Sequence, residues 1–327
     1  MLALAAAAAA LPACASDDEP EGRTGDIRQA DTWNDVNLTG TVRILPGAVV
    51  DIAPGATIRC NEGVQILVGG TLRARAGADR AKITCASWLG ILVAAEGVVD
   101  LEGVSIENAR IGIETTPLAG ESKLTDSAIV DAVYPFRVGE RSSLVLTNVT
   151  ANVRAKIPDG EYPISDVFGS LVARRLDYRA GPNEGISLKR DDRADAIGGE
   201  AVIEDSTIHG EKGLDMISTY AGKSLKMSYS KLSGAHCGAH IQGVESFELD
   251  HVTSESNTFG ITIYGASQGV ARNSNFSGDV MWLDVEGEHG PLTFENIWTK
   301  GGERIEAAAP PTINGRSEQP IAAAQPR

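Results

Sequence analysis

The chain has 327 residues, 42% of them apolar, enough for one large core or two ordinary ones. Aromatic residues make up only 5% while glycine reaches 36 residues, a balance that favours many turns and thin packed layers over a helical globule. The formal net charge of −15 argues against nucleic acid and anionic membrane surfaces as partners, and against an acidic polysaccharide unless Ca²⁺ bridges the two.

The first residues, MLALAAAAAALPACASDDEP, hold an apolar run too short for a bilayer, which takes ~20 residues, so they read as a signal h-region. The LPAC that follows resembles the lipobox of bacterial lipoproteins, with Leu11 at −3, Ala13 at −1 and Cys14 as the lipidated residue. Pro12 at −2 departs from that pattern, and no Lys or Arg precedes Arg23. The alternative is an ordinary secretory signal with an incidental cysteine. By the same resemblance, Ala15 after the cysteine implies an exported outer-membrane lipoprotein, periplasmic or cell-surface, that touches the membrane only through its lipid. Residues 15–31 are polar, acidic and aperiodic and read as a flexible tether.

From residue 32 onward the chain shows short alternating runs in place of long amphipathic helical patterns. Cys60 and Cys85 both end an I-x-C strand and lie 25 residues apart, about one repeat. Two readings stay open for them: a disulfide between stacked strands, or two free buried thiols.

The runs VDLEGVSI, SKLTDSAI, SSLVLTNV, AVIEDSTI, SFELDHV and PLTFENI each carry an apolar anchor. The anchors Leu101, Leu124, Leu146, Ala173, Ile203, Met227, Leu249, Ala271 and Phe294 follow at steps of 23, 22, 27, 30, 24, 22, 22 and 23 residues. Near-constant spacing marks a repeat architecture in which each coil buries its apolar face only by stacking on the next. Two residues after many anchors stands a turn former: Asp126, Asn148, Asp205, Asn273 and Asn296. A second strand recurs in phase at Gly90, Gly112, Pro135, Gly185, Gly213, Gly238 and Gly260, with one strand missing between 135 and 185.

This pattern resembles the right-handed parallel β-helix proteins of the pectate-lyase-like superfamily. PGAVVDIAPGATI (46–58), ILVGGTLRARAG (66–77) and ITCASWLGILV (83–93) look like the opening coils of its bacterial extracellular members. The resemblance covers residues 32–305 and implies an all-β, single-stranded solenoid of ten to twelve coils with about 22 residues each. It is poor for activity, because that superfamily holds lyases, hydrolases, adhesins and plain scaffolds.

In such a solenoid the second strand alternates. Ile186 and Leu188, Leu214 and Met216, Ala239 and Ile241, and Ile261 and Ile263 point inward, and Glu114, Arg137, Ser187, Asp215, His240, Thr262 and Asp284 point outward. SGAHCGAHIQG (233–243) therefore reads as a turn running into a strand, where His236 and His240 lie about 13 Å apart, and Cys237 faces inward. That geometry argues against a His-Cys-His zinc site, and no metal site is expected. The frame instead stacks His240 on Asp215 and His236 on Glu211, two outward carboxylate–imidazole pairs of the kind that prepare a general acid or base. The competing reading is a polar outer face whose opposite charges stabilise slightly.

LKRDDRAD (188–195) is an insertion in the 30-residue step that walls the outer face or is merely solvated. Its Asp191, Asp192 and Asp195 offer carboxylates to Ca²⁺, though their spacing does not match an EF-hand. Residues 306–327 are Ala/Pro-rich and read as a disordered tail.

Together these features describe a monomeric cell-envelope protein whose outer face binds a glycan or cell-surface component. Lys189, Arg190, Lys212, Tyr264 and Asp284 are its candidate contacts, with Tyr220 nearby. Two alternatives remain: a polysaccharide lyase or hydrolase acting through Asp215/His240 and Glu211/His236, and a non-catalytic adhesion or structural scaffold.

Overall fold

The computed structural model describes residues 22–75 and 77–327; Cys14 and the lipobox lie outside them. Among the described residues every strand pairing is parallel, 25 strands join in one continuous sheet that winds as a right-handed solenoid of about 13 turns, and there is no helix. The cause is the repeat. All nine anchors from Leu101 to Phe294 stack in one register, each paired with the next, and all are buried. Burying a leucine, isoleucine or phenylalanine this way contributes ~1.5–3 kcal/mol, and the gain recurs at each coil.

The turn formers after the anchors have a shared conformational role. Asp126, Asn148, Asp205, Asn273 and Asn296 all adopt positive φ, between 48° and 54°. That left-handed region is several-fold enriched in Asn and Asp among non-glycine residues. Their side chains also form a ladder, with Asn296 donating to Asn273 (2.8 Å) and Asn273 to Asp250 (3.0 Å). One residue on, Ser127, Ser206 and Ser274, and likewise Ser230 after Tyr229, accept backbone N–H groups from adjacent coils, which satisfies donors that the corner would otherwise orphan.

Three boundaries differ from the sequence reading. The tether expected at 15–31 is already sheet from residue 22: Gly22–Ile27 pairs with Val36–Ile44, and Asp31–Trp33 with Val49–Ile52. Polar side chains do not prevent this, because backbone pairing with the next coil supplies the bonds. The tail expected to be disordered packs instead. Thr312–Arg316 adds a strand to Leu292–Ala307, Asn275 exchanges bonds with the Ile321 backbone (2.8 and 3.0 Å), and Arg327 lies over the Tyr229 ring. The strand missing between 135 and 185 is Ser165–Val167, which pairs Val138 below and Ile186–Leu188 above. It is three residues long and follows a long excursion, so it left no period to read.

Cys60 and Cys85 stand in register on adjacent coils, Cα atoms 5.0 Å apart, and are joined by a disulfide.

Candidate functional site

The outer face of the coils between residues 184 and 304 is built from two parallel ladders. Ser187, Ser218, His240, Thr262, Asp284 and Arg304 form one. Lys189, Tyr220, Gln242, Tyr264 and Glu286 form the next, two residues along each strand. On the opposite side Ile186, Ile217, Ala239, Ile261 and Leu283 stack into the core. Outward residues of a β-helix are ordinarily wet, yet here Ser187, Ser218, Thr262 and Asp284 have at most 1% of their surface exposed. Each must then find partners within the protein.

They do. Ser218 donates to Ser187 Oγ (2.8 Å) and the Ser218 hydroxyl is also bonded to the Glu184 carboxyl. Asp284 accepts a two-point bond from Arg304 (2.8 and 2.5 Å) and the Tyr264 hydroxyl (3.1 Å). Lys189 pairs with Asp166 at 2.8 Å. The His240 ring has acceptors at both nitrogens: Asp215 Oδ2 lies 3.3 Å from Nδ1, and Gln242 Oε1 lies 3.3 Å from Nε2. Tyr220 and Tyr264 flank that ring, centroids 5.8 and 5.2 Å away.

Burial and charge set the protonation of this group. Burial, reinforced by the Asp215 charge, holds Glu184 above the usual carboxyl range against the lowering Ser218 bond. Burial pushes the Tyr220 hydroxyl up to about 12, helped by Glu184 and Asp215. Burial, then Asp284, does the same to Tyr264, also to about 12. The buried Cys237 thiol is driven well above its ordinary range by desolvation and by the Asp215 carboxylate. At neutral pH both tyrosines and the thiol are therefore hydrogen-bond donors.

The expected stacking frame holds on one side of His240 and fails on the other. Thr262 is its partner above, but the partner below is Ser218, while Asp215 pairs with Cys237. The frame matched Gly213 to Gly238. The pairing offset in fact falls from 24 residues at His209–Ser233 to 22 at Gly213–Ala235, because the chain bulges there, with Lys212 at positive φ. The bulge turns Leu214 outward, 49% exposed, where the sequence reading placed it in the core, and Ile217 takes the inward place. Asp215 nonetheless reaches His240, from the corner of the coil and not from the rung below.

The second pair does not form. Glu211 lies in the bulge, exposed, and among the described residues no hydrogen bond or ion pair joins it to His236. His236 packs edge-on against Phe259, with Nδ1 3.4 Å from Cys237 Sγ. Arg190 and Lys212 are exposed and do not converge on the ladder, whereas Lys189, Tyr264 and Asp284 belong to it. Asp191 and Asp195 face Arg193 and Arg141 (3.3 and 3.7 Å), and Arg193 ties the insertion to Glu140. The insertion thus walls a cleft of about 370 Å³ lined by Glu114, Arg137, Glu140, Asp166, Phe168 and Asp191, on the N-terminal side of the ladder.

Sequence reasoning missed Glu184, Ser218, Arg304 and the contact of Cys237 with the site. Ser218 was within reach: counting 22 residues back from His240 lands on it, where matching glycines did not. Arg304 follows Asp284 by 20, and Glu184 directly precedes the strand glycine Gly185.

Solved structures share this architecture. The A-modules of two mannuronan C-5 epimerases from Azotobacter vinelandii superpose on the chain. AlgE6 has a TM-score of 0.55 at 10% identity, covering 90% of this chain and 89% of that one. AlgE4 has a TM-score of 0.51 at 10% identity, covering 87% and 91%. Pectate lyase Pel9A aligns with a TM-score of 0.44 at 14% identity over 81% and 71%. At 10% identity the likeness to the two epimerase modules shows the parallel β-helix fold alone. No protein-family model matches the sequence, and no curated relative does.

Proposed function

We propose that the chain is an exported β-helix protein that binds a glycan across the Tyr220–His240–Tyr264 face. The observation that carries this reading is the strip of three rings on successive coils, above a ladder of buried hydroxyls and carboxylates. Tyr220 and Tyr264 stand two coils apart, about 9–10 Å, with the His240 ring between them on the intervening coil. Tyrosine offers an apolar face to the sugar and a hydroxyl to its oxygens. The cations beside the strip, Lys189 and Arg304, are each engaged by a carboxylate, which favours a neutral glycan over an acidic one. The disulfide supports an oxidising compartment, in keeping with export and with an anchor at Cys14. A glycan panel containing neutral polysaccharides, and mannuronan with and without Ca²⁺, tests the reading. Neutral glycans are expected to bind and Tyr264→Ala to abolish binding; binding that Tyr264→Ala and Tyr220→Ala both leave intact would refute it.

The Asp215–His240 contact favours a second reading, a polysaccharide-processing enzyme. Two carboxyls in different environments, Glu184 with its pKa raised by burial and Asp215 beside His240, resemble the division of an acid from a base. The solved neighbours named as epimerases make mannuronan the first acidic substrate to try. Turnover lost in His240→Ala but retained in Arg73→Ala would support this reading; a panel with no turnover leaves the face a binding site.

A further inference from the structure

Among the described residues, the one group of His, Cys, Asp and Glu donors close enough to share an ion is Asp215, Cys237 and His240, whose ligand atoms all lie within 4.8 Å of one another. We propose that these three side chains form a binding site for a zinc-class divalent cation, with its remaining coordination position open toward the outer face. The inference goes beyond the glycan reading and does not depend on it.

The spacing fits. A tetrahedral ion with bonds of about 2.0 Å to nitrogen and oxygen sets those two atoms about 3.3 Å apart. His240 Nδ1 and Asp215 Oδ2 are 3.3 Å apart. The ion displaces the Cys237 thiol proton to solvent on binding, and a thiolate bond of about 2.3 Å asks for roughly 3.5 Å between sulfur and either neighbour, within reach of a small rotation of Cys237. His236 Nδ1 lies 3.4 Å from the sulfur but is not among the mutually adjacent donors, so the protein supplies three ligands. Three protein ligands and one open position is the arrangement of catalytic zinc, whereas structural zinc is closed by four.

The surroundings fit as well. Backbone pairing fixes Asp215 beside Cys237, and the core strand fixes His240 three residues on, so little ordering remains for the ion to impose. Thr262 Oγ1 approaches the sulfur at 3.7 Å, and Gln242 meets the other His240 nitrogen at 3.3 Å, the outer contact that typically orients a ligating imidazole. The donors themselves choose the metal: thiolate and imidazole select zinc-class ions over Ca²⁺ and Mg²⁺. The i, i+3 spacing of Cys237 and His240 hid this on an extended strand, and the third donor comes from the preceding coil.

Metal-stripped full-length protein, its disulfide kept oxidised, is titrated with Co²⁺ and then Zn²⁺. The expected result is saturation at one ion per chain with a strong near-ultraviolet thiolate-to-cobalt band, displaced by Zn²⁺ and unaffected by excess Ca²⁺. Cys237→Ser should abolish the band and weaken Zn²⁺ binding roughly tenfold or more, and Asp215→Asn should keep the band while weakening affinity. Circular dichroism confirms that each variant is folded, and Asp215→Asn serves should Cys237→Ser prove unstable. No saturable binding overturns the proposal. So does binding without the band that Ca²⁺ competes away, which would place the ion on surface carboxylates, and so does a band that survives Cys237→Ser. Because no sugar is present, neither outcome bears on the glycan reading.

Discussion

The coils before residue 110 and those between 184 and 304 share one backbone and differ in their outer faces. In the first region the outward residues are solvated ion pairs such as Arg73–Asp51 and Arg75–Asp100, whose side chains are 37–57% exposed. In the second, outward Ser187, Ser218, Thr262 and Asp284 are buried, and carboxyl, imidazole, phenol and thiol groups crowd together. Screened pairs cost the protein little and give it little; buried polar groups are expensive unless each is matched. A solenoid that needs only a continuous apolar core has no folding reason to bury such a cluster outside it. The difference sets the second region apart as the candidate site.

Core substitution should give the largest effect and should not distinguish the regions. Phe294→Ala is expected to cost ~3–5 kcal/mol by denaturant unfolding, since Phe294 is fully buried against Phe276 and Trp282. A loss below about 1 kcal/mol would mean the anchors are not the core. Next comes the disulfide, which belongs to the first region alone. Replacing Cys60 and Cys85 by serine should destabilise by ~3–4 kcal/mol, given a 25-residue separation. Amide exchange should rise in the N-terminal coils and stay unchanged around His240.

How much of this the sequence disclosed follows from what repeats. The nine anchors and the Asn/Asp corners were legible because each coil restates the same packing demand, and all nine stack as their spacing predicted. The face was legible only where the period is strict, at His240, Thr262 and Asp284. It was lost at the bulge beside Lys212, where two extra residues shifted the frame and carried Asp215 to a corner. The joining of Cys237 to that corner was hidden by parity reasoning, which holds along a strand and fails where the chain turns.

A smaller effect separates the regions by pH. Burial raises the folded-state pKa of Glu184 above its unfolded value, so its favourable contribution is complete below the ordinary carboxyl pKa of roughly 4 and is lost as pH rises through the raised one. Glu184→Gln removes that loss. Its melting temperature relative to the native protein should therefore climb from acid to neutral pH; a difference independent of pH would contradict the burial of this carboxyl. The smallest effect belongs to the exposed ladder: Arg73→Ala should change stability by no more than ~1 kcal/mol and leave glycan binding untouched.

The central claim, that the His240 face is a site and not a solvated flank, is tested most directly by calorimetric titration of the best-binding glycan into the native chain and His240→Ala, with unfolding measured on both. Binding should disappear while the protein stays folded, with a stability loss of no more than ~1–3 kcal/mol from leaving Asp215 without its imidazole partner. Binding of equal affinity in His240→Ala, with the protein folded, would contradict it.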